Sequence, residues 1–374
     1  MTRVSNWIKA SLIAWLVTGA CGSTQPVHQV TEYHGKKPRN IILLIGDGMG
    51  IGQITAGMYS NDNHLHLERC PVVGLIKTTS SDDLITDSAA GATAFATGKK
   101  TYNGAIGVDA DTVPQPTILE IAKSQGLKTG LVATSEIIHA TPASFIAHQY
   151  NRLMYEEIAA DFLNTDVDLL IGGGMKYFVK RRDKRNLLVE MKEDNYFIRN
   201  EQFPLRKLLV PPTHKLAYFT ADMKPDRKEK GRDYLPDAAE FATQFLSERS
   251  GNQGFFLMIE GSQIDWGGHA NDEEWVISEM LDFNETIGRV LDFAQEDKHT
   301  LVIITADHET GGFAINRGSE MGKLKTGFTT GGHTGNMVPV FAYGPGAELF
   351  AGVYDNTQIF YRMMMAYGFS VPEP

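Results

Sequence analysis

Cysteine is scarce in this sequence, because its 374 residues contain only two, Cys21 and Cys70. Cys21 falls in the N-terminal leader described below, so Cys70 has no partner within the rest of the chain. This excludes an internal disulfide even in an oxidising compartment. The fold must therefore be stabilised by packing, with bound metals as a further candidate source of stability.

Positive charge is also in short supply. The 35 Lys and Arg residues against 45 Asp and Glu give a net charge of −10, which argues against nucleic acid as the main partner. The same charge repels anionic substrates, so a phosphate site would need strong positive charge of its own. A hydrophobic content of 42% is typical of a globular protein with a large core. Internal repeats and low-complexity tracts are absent, and one compact domain is the simplest interpretation.

The first 21 residues predict a signal peptide. Basic residues precede an apolar run at positions 10–17 that is too short to span a bilayer. The sequence L-V-T-G-A-C-G-S at positions 16–23 resembles the lipobox of bacterial lipoproteins, in which cleavage makes Cys21 a lipidated N-terminus. Because Thr18 stands where leucine is usual, plain cleavage after Ala20 is the alternative. We expect a location in the periplasm or cell envelope, with membrane contact only through that lipid. Residues 22–37 are expected to be a polar tether, and residues 38–374 a single domain.

Beyond the tether, apolar runs alternate with helical patterns. This alternation predicts an α/β fold in three layers around a largely parallel sheet. The predicted strands are residues 40–45, 72–78, 129–134, 168–171, 254–259, 300–305 and 338–343. The main predicted helices are residues 117–125, 152–164, 237–247 and 272–295. Residues 176–230 are charged and irregular, and the basic run at 180–185 is predicted to be a solvated surface helix.

A stretch of small residues at positions 86–98 reads T-D-S-A-A-G-A-T-A-F-A-T-G. Asp87 or Ser88 is a natural N-cap for a helix that ends at Gly98. A serine at a helix N-terminus lies in a positive field, among backbone N–H groups that suit an anion. The alternative is a tightly packed alanine-rich helix with a capping serine.

Four predicted strands end in acidic or imidazole side chains. The carboxyl ends of parallel strands share one edge of a sheet, where ligands bind. A single carboxylate there often caps the following helix, but four such strand ends are hard to explain by capping. The groups in chain order are Asp47; His139 and Thr141; Glu260, Asp265 and His269; and Asp307 with His308.

The spacing of several of these residues suits metal ligands. Asp265 and His269 are one helical turn apart, so both can reach one metal, and His333 offers a further nitrogen. Asp307 and His308 are adjacent after a strand, which fits either a metal site or a buried ion pair. Two sites with mixed nitrogen and oxygen ligands suit Zn²⁺. An all-oxygen cluster suits Mg²⁺, and its members would be Asp47, Thr141 and Glu260.

Taken together, these motifs resemble those of bacterial alkaline phosphatases, with the greatest similarity to the short marine or cold-adapted members. The resemblance covers residues 38–346 and rests on six segments: I-I-L-L-I-G-D-G-M-G, T-D-S-A-A-G-A-T-A-F-A-T-G, H-A-T-P-A, E-G-S-Q-I-D-W-G-G-H, T-A-D-H-E-T-G-G and G-G-H-T. It implies a homodimeric enzyme that hydrolyses small phosphate monoesters and is inhibited by its product, inorganic phosphate.

The resemblance also implies roles for individual residues. Ser88 matches the nucleophile that forms a phosphoseryl intermediate, and Arg152 matches the arginine that holds the phosphate with two N–H groups. Three metal sites are implied, two for zinc and one for magnesium. The implied ligands are Asp265, His269 and His333 for the first zinc; Asp47, Asp307 and His308 for the second; and Asp47, Thr141 and Glu260 for magnesium.

Two positions depart from other members of that family. His139 and Trp266 stand where some members carry aspartate and lysine. His139 is expected at the third metal, either as a weak ligand or as a neighbour that contacts the ligands, which leaves the metal preference of that site open. A neutral Trp266 cannot hold phosphate through water as a lysine could. We expect no large crown subdomain, because the chain is short.

Two other kinds of function remain open at this point. Sulfatases, phosphodiesterases and cofactor-independent phosphoglycerate mutases are related families with the same bimetal core. A serine at position 88, rather than threonine or a modified cysteine, favours a phosphomonoesterase. A non-catalytic phosphate-binding lipoprotein is the other alternative, and it would need the Ser88 helix end but no metal cluster.

Overall fold

A ten-stranded sheet runs through the centre of the protein, whose computed structural model describes residues 33–370. From one edge to the other the strands are β14 (Gly352–Asp355), β2 (Val72–Lys77), β13 (Val338–Tyr343), β8 (Thr300–Thr305), β1 (Asn40–Gly46), β7 (Phe255–Gly261), β3 (Lys128–Glu136), β4 (Leu169–Gly173), β6 (Lys215–Phe219) and β5 (Tyr196–Asn200). Within this sheet β13 runs antiparallel to both of its neighbours, and all other neighbouring pairs are parallel. The predicted α/β fold with a largely parallel sheet is confirmed.

Helices and two short ribbons complete the described structure. The helices are α1 (Ile51–Tyr59), α2 (Ser88–Thr97), α3 (Ile118–Ser124), α4 (Ala140–Ala143), α5 (Tyr155–Asp161), α6 (Lys176–Val179), α7 (Leu187–Glu193), α8 (Leu235–Ser250), α9 (Gln263–His269), α10 (Glu273–Asp297) and α11 (Gln358–Tyr367). One ribbon pairs β9 (Glu309–Thr310) with β12 (His333–Thr334), and the other pairs β10 (Ala314–Ile315) with β11 (Thr326–Gly327). No helix among residues 33–370 is long and apolar enough to cross a membrane.

The central strands are covered on both faces. Every residue of β1 and β7 is buried, which requires packing against both sides of the sheet. Helices α8 and α10 pack on each other and against β3, β7 and β8, while α3 and α4 also contact β3 and β7. This arrangement is the expected three-layer sandwich.

Several local predictions need correction or lie beyond the described residues. Residues 176–230 are not irregular, because they supply β5 and β6, which extend the sheet beyond β4, together with α6 and α7. The basic run at 180–185 is a turn, not a helix, in which Arg181 donates to the carbonyls of Glu156 and Tyr177. The helix predicted to begin at Arg152 begins at Tyr155. The predicted signal peptide, its Cys21 and most of the tether lie outside the described residues.

The strand order brings the candidate functional residues to one edge of the sheet. Strands β8, β1, β7 and β3 are consecutive neighbours, and most of the candidate residues lie at their carboxyl ends or in the segments that follow them. The turn after β1 lies against α9, where a Cβ added to Gly48 would stand 2.8 Å from the Cα of Asp265. Gly48 also has a φ of +72°, which favours glycine. A glycine is therefore needed where the turn holding Asp47 meets α9.

A charged contact ties the segment before Arg152 to α3. The Nδ1 of His148 lies 2.7 Å from the Gly107 carbonyl oxygen, and its Nε2 lies 3.0 Å from the Glu120 carboxylate. Both nitrogens can donate at once only in the imidazolium form. Burial acts to lower the pKa of His148, but its hydrogen bonds to Glu120 and Gly107 raise that pKa overall. Burial acts to raise the pKa of Glu120, but the bonds from His148 and from the Thr117 N–H lower it overall.

We predict that replacing His148 by glutamine destabilises the protein more at pH 6 than at pH 9. A raised histidine pKa gives stability that is present below the unfolded value near 6.5 and is lost as pH rises through the folded value. The lowered pKa of Glu120 adds stability above its ordinary 4.5, which is lost as pH falls. Because the pair is partly exposed, we expect a loss of about 1 kcal/mol at pH 6. Thermal melts of His148→Gln, Glu120→Gln and the double variant measure this, and equal losses at both pH values would contradict it.

Candidate active site

Ser88 stands at the N-terminus of α2. Asp87 caps the helix by accepting the Ala90 N–H at 2.9 Å, and Gly98 ends it in the left-handed conformation, so the predicted helix and caps are confirmed. The side chain of Ser88 is buried, with 2% relative exposure. A Cβ added to Gly91 would lie 3.1 Å from the Cβ of Asp307, so the small residues of α2 permit a close approach to the loop after β8.

Three fully buried residues at the ends of β1 and β8 lie together, and one of them contacts the Ser88 hydroxyl. Asp47, Asp307 and His308 each offer a ligand atom within 4.8 Å of the others. The Nε2 of His308 lies 3.3 Å from Ser88 Oγ, 3.5 Å from Asp47 and 3.3 Å from Asp307. The group predicted for the second zinc is therefore brought together beside the predicted nucleophile.

A second group joins α9 to the β9–β12 ribbon. Helix α9 places Asp265 and His269 one turn apart, and β12 brings His333 to both. The Nε2 atoms of His269 and His333 each lie 3.4 Å from Asp265 Oδ1. These two nitrogens are only 3.0 Å from each other.

The protonation of these two histidines indicates a shared cation. The Nδ1 of His269 lies 2.7 Å from the Gly331 carbonyl, and the Nδ1 of His333 lies 2.9 Å from the Thr86 carbonyl. Since a carbonyl only accepts, each Nδ1 carries the hydrogen, and in the neutral ring each Nε2 is a bare lone pair. Two lone pairs and a carboxylate that converge in this way are the pattern of a metal site.

The third group includes a nitrogen that an all-oxygen site would lack. Asp47, His139 and Glu260 offer ligand atoms within 4.8 Å of one another. The Thr141 hydroxyl also belongs here, because it is near enough to Glu260 to act on the pKa of that carboxyl, which it lowers. The Nδ1 of His139 and the hydroxyl of Thr141 are buried and have no hydrogen-bond partner among the described residues. His139 is thus a member of this group and not only its neighbour.

The buried carboxylates at this edge are short of positive charge. Both oxygens of Asp47, one of Glu260 and one of Asp307 have no hydrogen-bond partner in the described part of the chain. Burial, followed by the charges of Asp307, Asp265 and Glu260, raises the pKa of Asp47 well above its usual value. Burial raises the pKa of Glu260 to about 7, and burial with the charge of Asp265 raises that of Asp307 to about 6. Unpaired buried oxygens are costly, so this donor set fits bound metal cations.

Arg152 supplies the permanent cation that points toward this site. One of its terminal nitrogens donates to Asp87 at 2.9 Å, which ties the arginine to the cap of α2. Its charge also acts on the pKa values of Asp47, His139 and His308. Its other nitrogens donate to no described residue, so they are available to an anion near Ser88.

Two supporting residues were not singled out from the sequence. The Thr310 hydroxyl donates to Asp265 and lies 3.2 Å from His308 Nδ1, so it connects two of the metal-ligand groups. Buried Glu309 accepts from Gln53 at 2.9 Å and from the hydroxyl of Thr334, which fixes the ribbon that carries His333. Their only sequence signal is their place in T-A-D-H-E-T-G-G, since their partners come from distant segments.

The family model described as alkaline phosphatase matches residues 38–326 and 322–369. The chain belongs to the alkaline phosphatase family. It is 37% identical to alkaline phosphatase 3 of Bacillus subtilis over 89% of this chain and 90% of that protein. The structure of alkaline phosphatase from the Antarctic bacterium TAB5 matches with a TM-score of 0.84 and 44% identity, covering 90% of this chain and 100% of the other. A cold-active alkaline phosphatase from Shewanella sp. matches with a TM-score of 0.80 and 31% identity, covering 88% and 99% of the two chains.

These relatives confirm the predicted resemblance to cold-adapted members. Alkaline phosphatases are metal-dependent hydrolases that act on phosphate monoesters. Two further structures show TAB5 variants in which a histidine is replaced by aspartate or by glutamate, each with magnesium bound in its M3 site.

We predict that metal removal unfolds this alkaline phosphatase at a lower temperature. Without cations, the buried carboxylates repel one another or must bind protons. Incubation with a chelator should lower both the melting temperature and the activity, and zinc with magnesium should restore both. Chelator already saturated with zinc is the control and should change neither, because it has no capacity left to remove the metal. A metal-free protein that melts where the metal-loaded protein does would contradict the prediction.

Proposed function

We propose that this chain hydrolyses phosphate monoesters through a phosphoserine at Ser88, at a site of two zinc ions and one magnesium ion. The observation that carries this proposal is the placement of Ser88 Oγ. It lies at a helix N-terminus, 3.3 Å from His308 Nε2, beside buried carboxylate oxygens that lack partners. A non-catalytic phosphate-binding protein has no need of such a donor set.

The three ligand groups have distinct assignments in this proposal. Zinc supplies the positive charge that neutralises the ester and lowers the pKa of a serine hydroxyl. The residues that would hold the ions are Asp265, His269 and His333 for the first zinc; Asp47, Asp307 and His308 for the second; and Asp47, Thr141, Glu260 and His139 for magnesium.

The chain's own residues then carry a two-step reaction. Ser88 Oγ forms a bond to phosphorus as the bond to the alcohol breaks, and the alcohol leaves with a proton. Water then attacks the phosphoserine, releasing inorganic phosphate and returning the hydroxyl to Ser88. Arg152 holds the oxygens that do not react, and Asp87 fixes the arginine by the bond at 2.9 Å. The N–H groups at the start of α2 face the same developing charge.

His139 sets the character of the third site. Its nitrogen makes the site less oxygen-rich than Mg²⁺ prefers. The TAB5 variants with an aspartate or a glutamate in place of a histidine, and magnesium in the M3 site, support this assignment. We therefore propose that magnesium binds this chain's third site more weakly than it would with a carboxylate at position 139.

Export and assembly stay proposals as well. The leader and Cys21 suggest a protein of the periplasm or cell envelope, lipid-anchored if Cys21 is modified. The family resemblance suggests a homodimer.

The reaction class can be tested with three chromogenic esters. We predict that the metal-loaded protein hydrolyses 4-nitrophenyl phosphate faster, by orders of magnitude, than bis(4-nitrophenyl) phosphate or 4-nitrophenyl sulfate. The proposed site holds one phosphoryl group between metal cations and Arg152. A phosphate monoester carries two negative charges there, whereas the diester and the sulfate ester carry one and are held more weakly. Preferred hydrolysis of the diester would assign a phosphodiesterase, and preferred hydrolysis of the sulfate a sulfatase.

Replacing Arg152 by lysine tests the phosphate contact within the same assay. Lysine keeps the charge but loses the planar pair of donors. We expect the inhibition constant of inorganic phosphate to rise about tenfold, as the loss of one charge-assisted hydrogen bond implies. Arg185→Lys is the matched control, since Arg185 pairs with Glu190 at the surface. Equal inhibition of wild type and Arg152→Lys would show that Arg152 does not bind the phosphate.

A further inference from the structure

The loop between β6 and α8 is fastened to the helix that carries two metal ligands. Gln263, the first residue of α9, is buried, and its side-chain amide donates to the carbonyls of Pro225 and Asp226 at 3.2 Å each. The same amide donates to the Thr134 carbonyl at the end of β3. Residues 224–226 are therefore held in a fixed place beside the candidate active site.

Lys224 extends from this loop over the ring of Trp266. Its Nζ lies 5.2 Å from the ring centroid, which is a cation–π contact. Lys224 is exposed, and it forms no salt bridge and no hydrogen bond with any described residue. Neighbouring cations of the same loop are paired, with Arg227 on Asp272 and Lys228 on Asp282. The structure thus holds Lys224 in position without a direct ion pair, and the Glu136 carboxylate interacts with it only at longer range.

Trp266 also contacts a residue of the third ligand group. The indole ring meets the ring of His139 edge-on, with centroids 5.9 Å apart. The ammonium can therefore lie no farther from the centre of the His139 ring than the sum of these two distances. That sum is close to the Debye length at moderate ionic strength, over which exposed charges still interact. The ammonium is exposed, and a protonated lysine has no lone pair to offer, so it cannot be a metal ligand.

Beyond Lys224 a cavity opens at the carboxyl end of β6. It has a volume of about 680 Å³, and its lining includes Lys224, Tyr218 and Thr220. The charge of its wall is mixed, because Glu201 and Asp233 lie there together with basic residues. The cavity as a whole is therefore not expected to bind anions in general. Lys224 lies both in the wall of this cavity and over the ring of Trp266.

We propose that Lys224 and Trp266 form a subsite for a second anionic group, a carboxylate or phosphate carried by the alcohol part of the ester. The inference rests on the proposed phosphatase function. A phosphoryl group at Ser88 leaves the alcohol part directed toward solvent. Trp266 follows Asp265 in α9, and it therefore holds the exposed Lys224 ammonium at the same edge of the sheet. The chain's net charge of −10 repels such a doubly charged substrate, so an unpaired lysine there has a specific effect. Lys224 is a specificity-determining residue and takes no part in bond breaking.

Two nearly isosteric esters test the subsite. Glycerol 3-phosphate has a neutral alcohol part, and 3-phosphoglycerate carries a carboxylate. We expect Lys224→Gln to lower kcat/KM for 3-phosphoglycerate, relative to that for glycerol 3-phosphate, about fivefold, the upper range for one exposed ion pair. Lys224→Arg should keep the wild-type ratio. Lys192→Gln, which removes the same charge from exposed α7, should also keep it.

A binding measurement separates this inference from the function on which it rests. Calorimetry on the metal-loaded full chain compares 3-phosphonopropionate with propylphosphonate, neither of which can be hydrolysed. Lys224→Gln should lower affinity for the carboxylated phosphonate by a similar factor and leave the other unchanged. An unchanged ratio, or an equal loss for both members of a pair, would overturn the subsite. Absence of hydrolysis by the wild type would instead contradict the proposed function, while the phosphonate pair still decides the role of Lys224.

Discussion

Four buried carboxylates at one edge of the sheet are the constraint on which the rest of this site depends. Asp47, Glu260, Asp265 and Asp307 are all buried. Three of them, Asp47, Glu260 and Asp307, have oxygens without a hydrogen-bond partner among the described residues. Such a cluster is unstable without cations. The neighbouring strands β8, β1 and β7 bring the carboxylates together, and the β9–β12 ribbon adds the histidine nitrogen that completes one ligand group.

Much of this site could be predicted from strand ends. Apolar strands followed by Asp47, Glu260 or Asp307 have to share an edge in a parallel sheet, so their convergence follows from the fold class. The strands within residues 176–230 were missed because β5 and β6 lie in a segment rich in charged residues, whereas β4, which is equally short, is an apolar run. The membership of His139 and the bridging role of Thr310 depend on side-chain directions set by tertiary packing, which sequence spacing does not contain.

Two cations, Arg152 and Lys224, stand out near the candidate site of a protein whose net charge is negative. Arg152 is held by the residue that caps α2, so the phosphate contact and the orientation of Ser88 depend on the same carboxylate, Asp87. Lys224 is held by an aromatic face instead of a counter-ion, which keeps its charge available. In the proposed reaction these two cations act on different parts of the substrate, the arginine on the phosphoryl group and the lysine on the alcohol part. The proposed substrate selectivity and the proposed bond breaking thus depend on different cations at the same edge of the sheet.

The most direct test of the central claim, that Ser88 is the nucleophile, is to trap phosphate on it. Brief incubation with inorganic phosphate in mild acid is followed by denaturation and tryptic digestion. Phosphate should then remain on the peptide of residues 78–99. Its removal from serine needs hydroxide as the nucleophile, and mild acid keeps the attacking water protonated. Ser88→Ala should retain its metals, lose the adduct and lose nearly all activity, which assigns the phosphate within a peptide that holds several hydroxyls. Phosphate on another residue, or full activity of Ser88→Ala, would contradict the account.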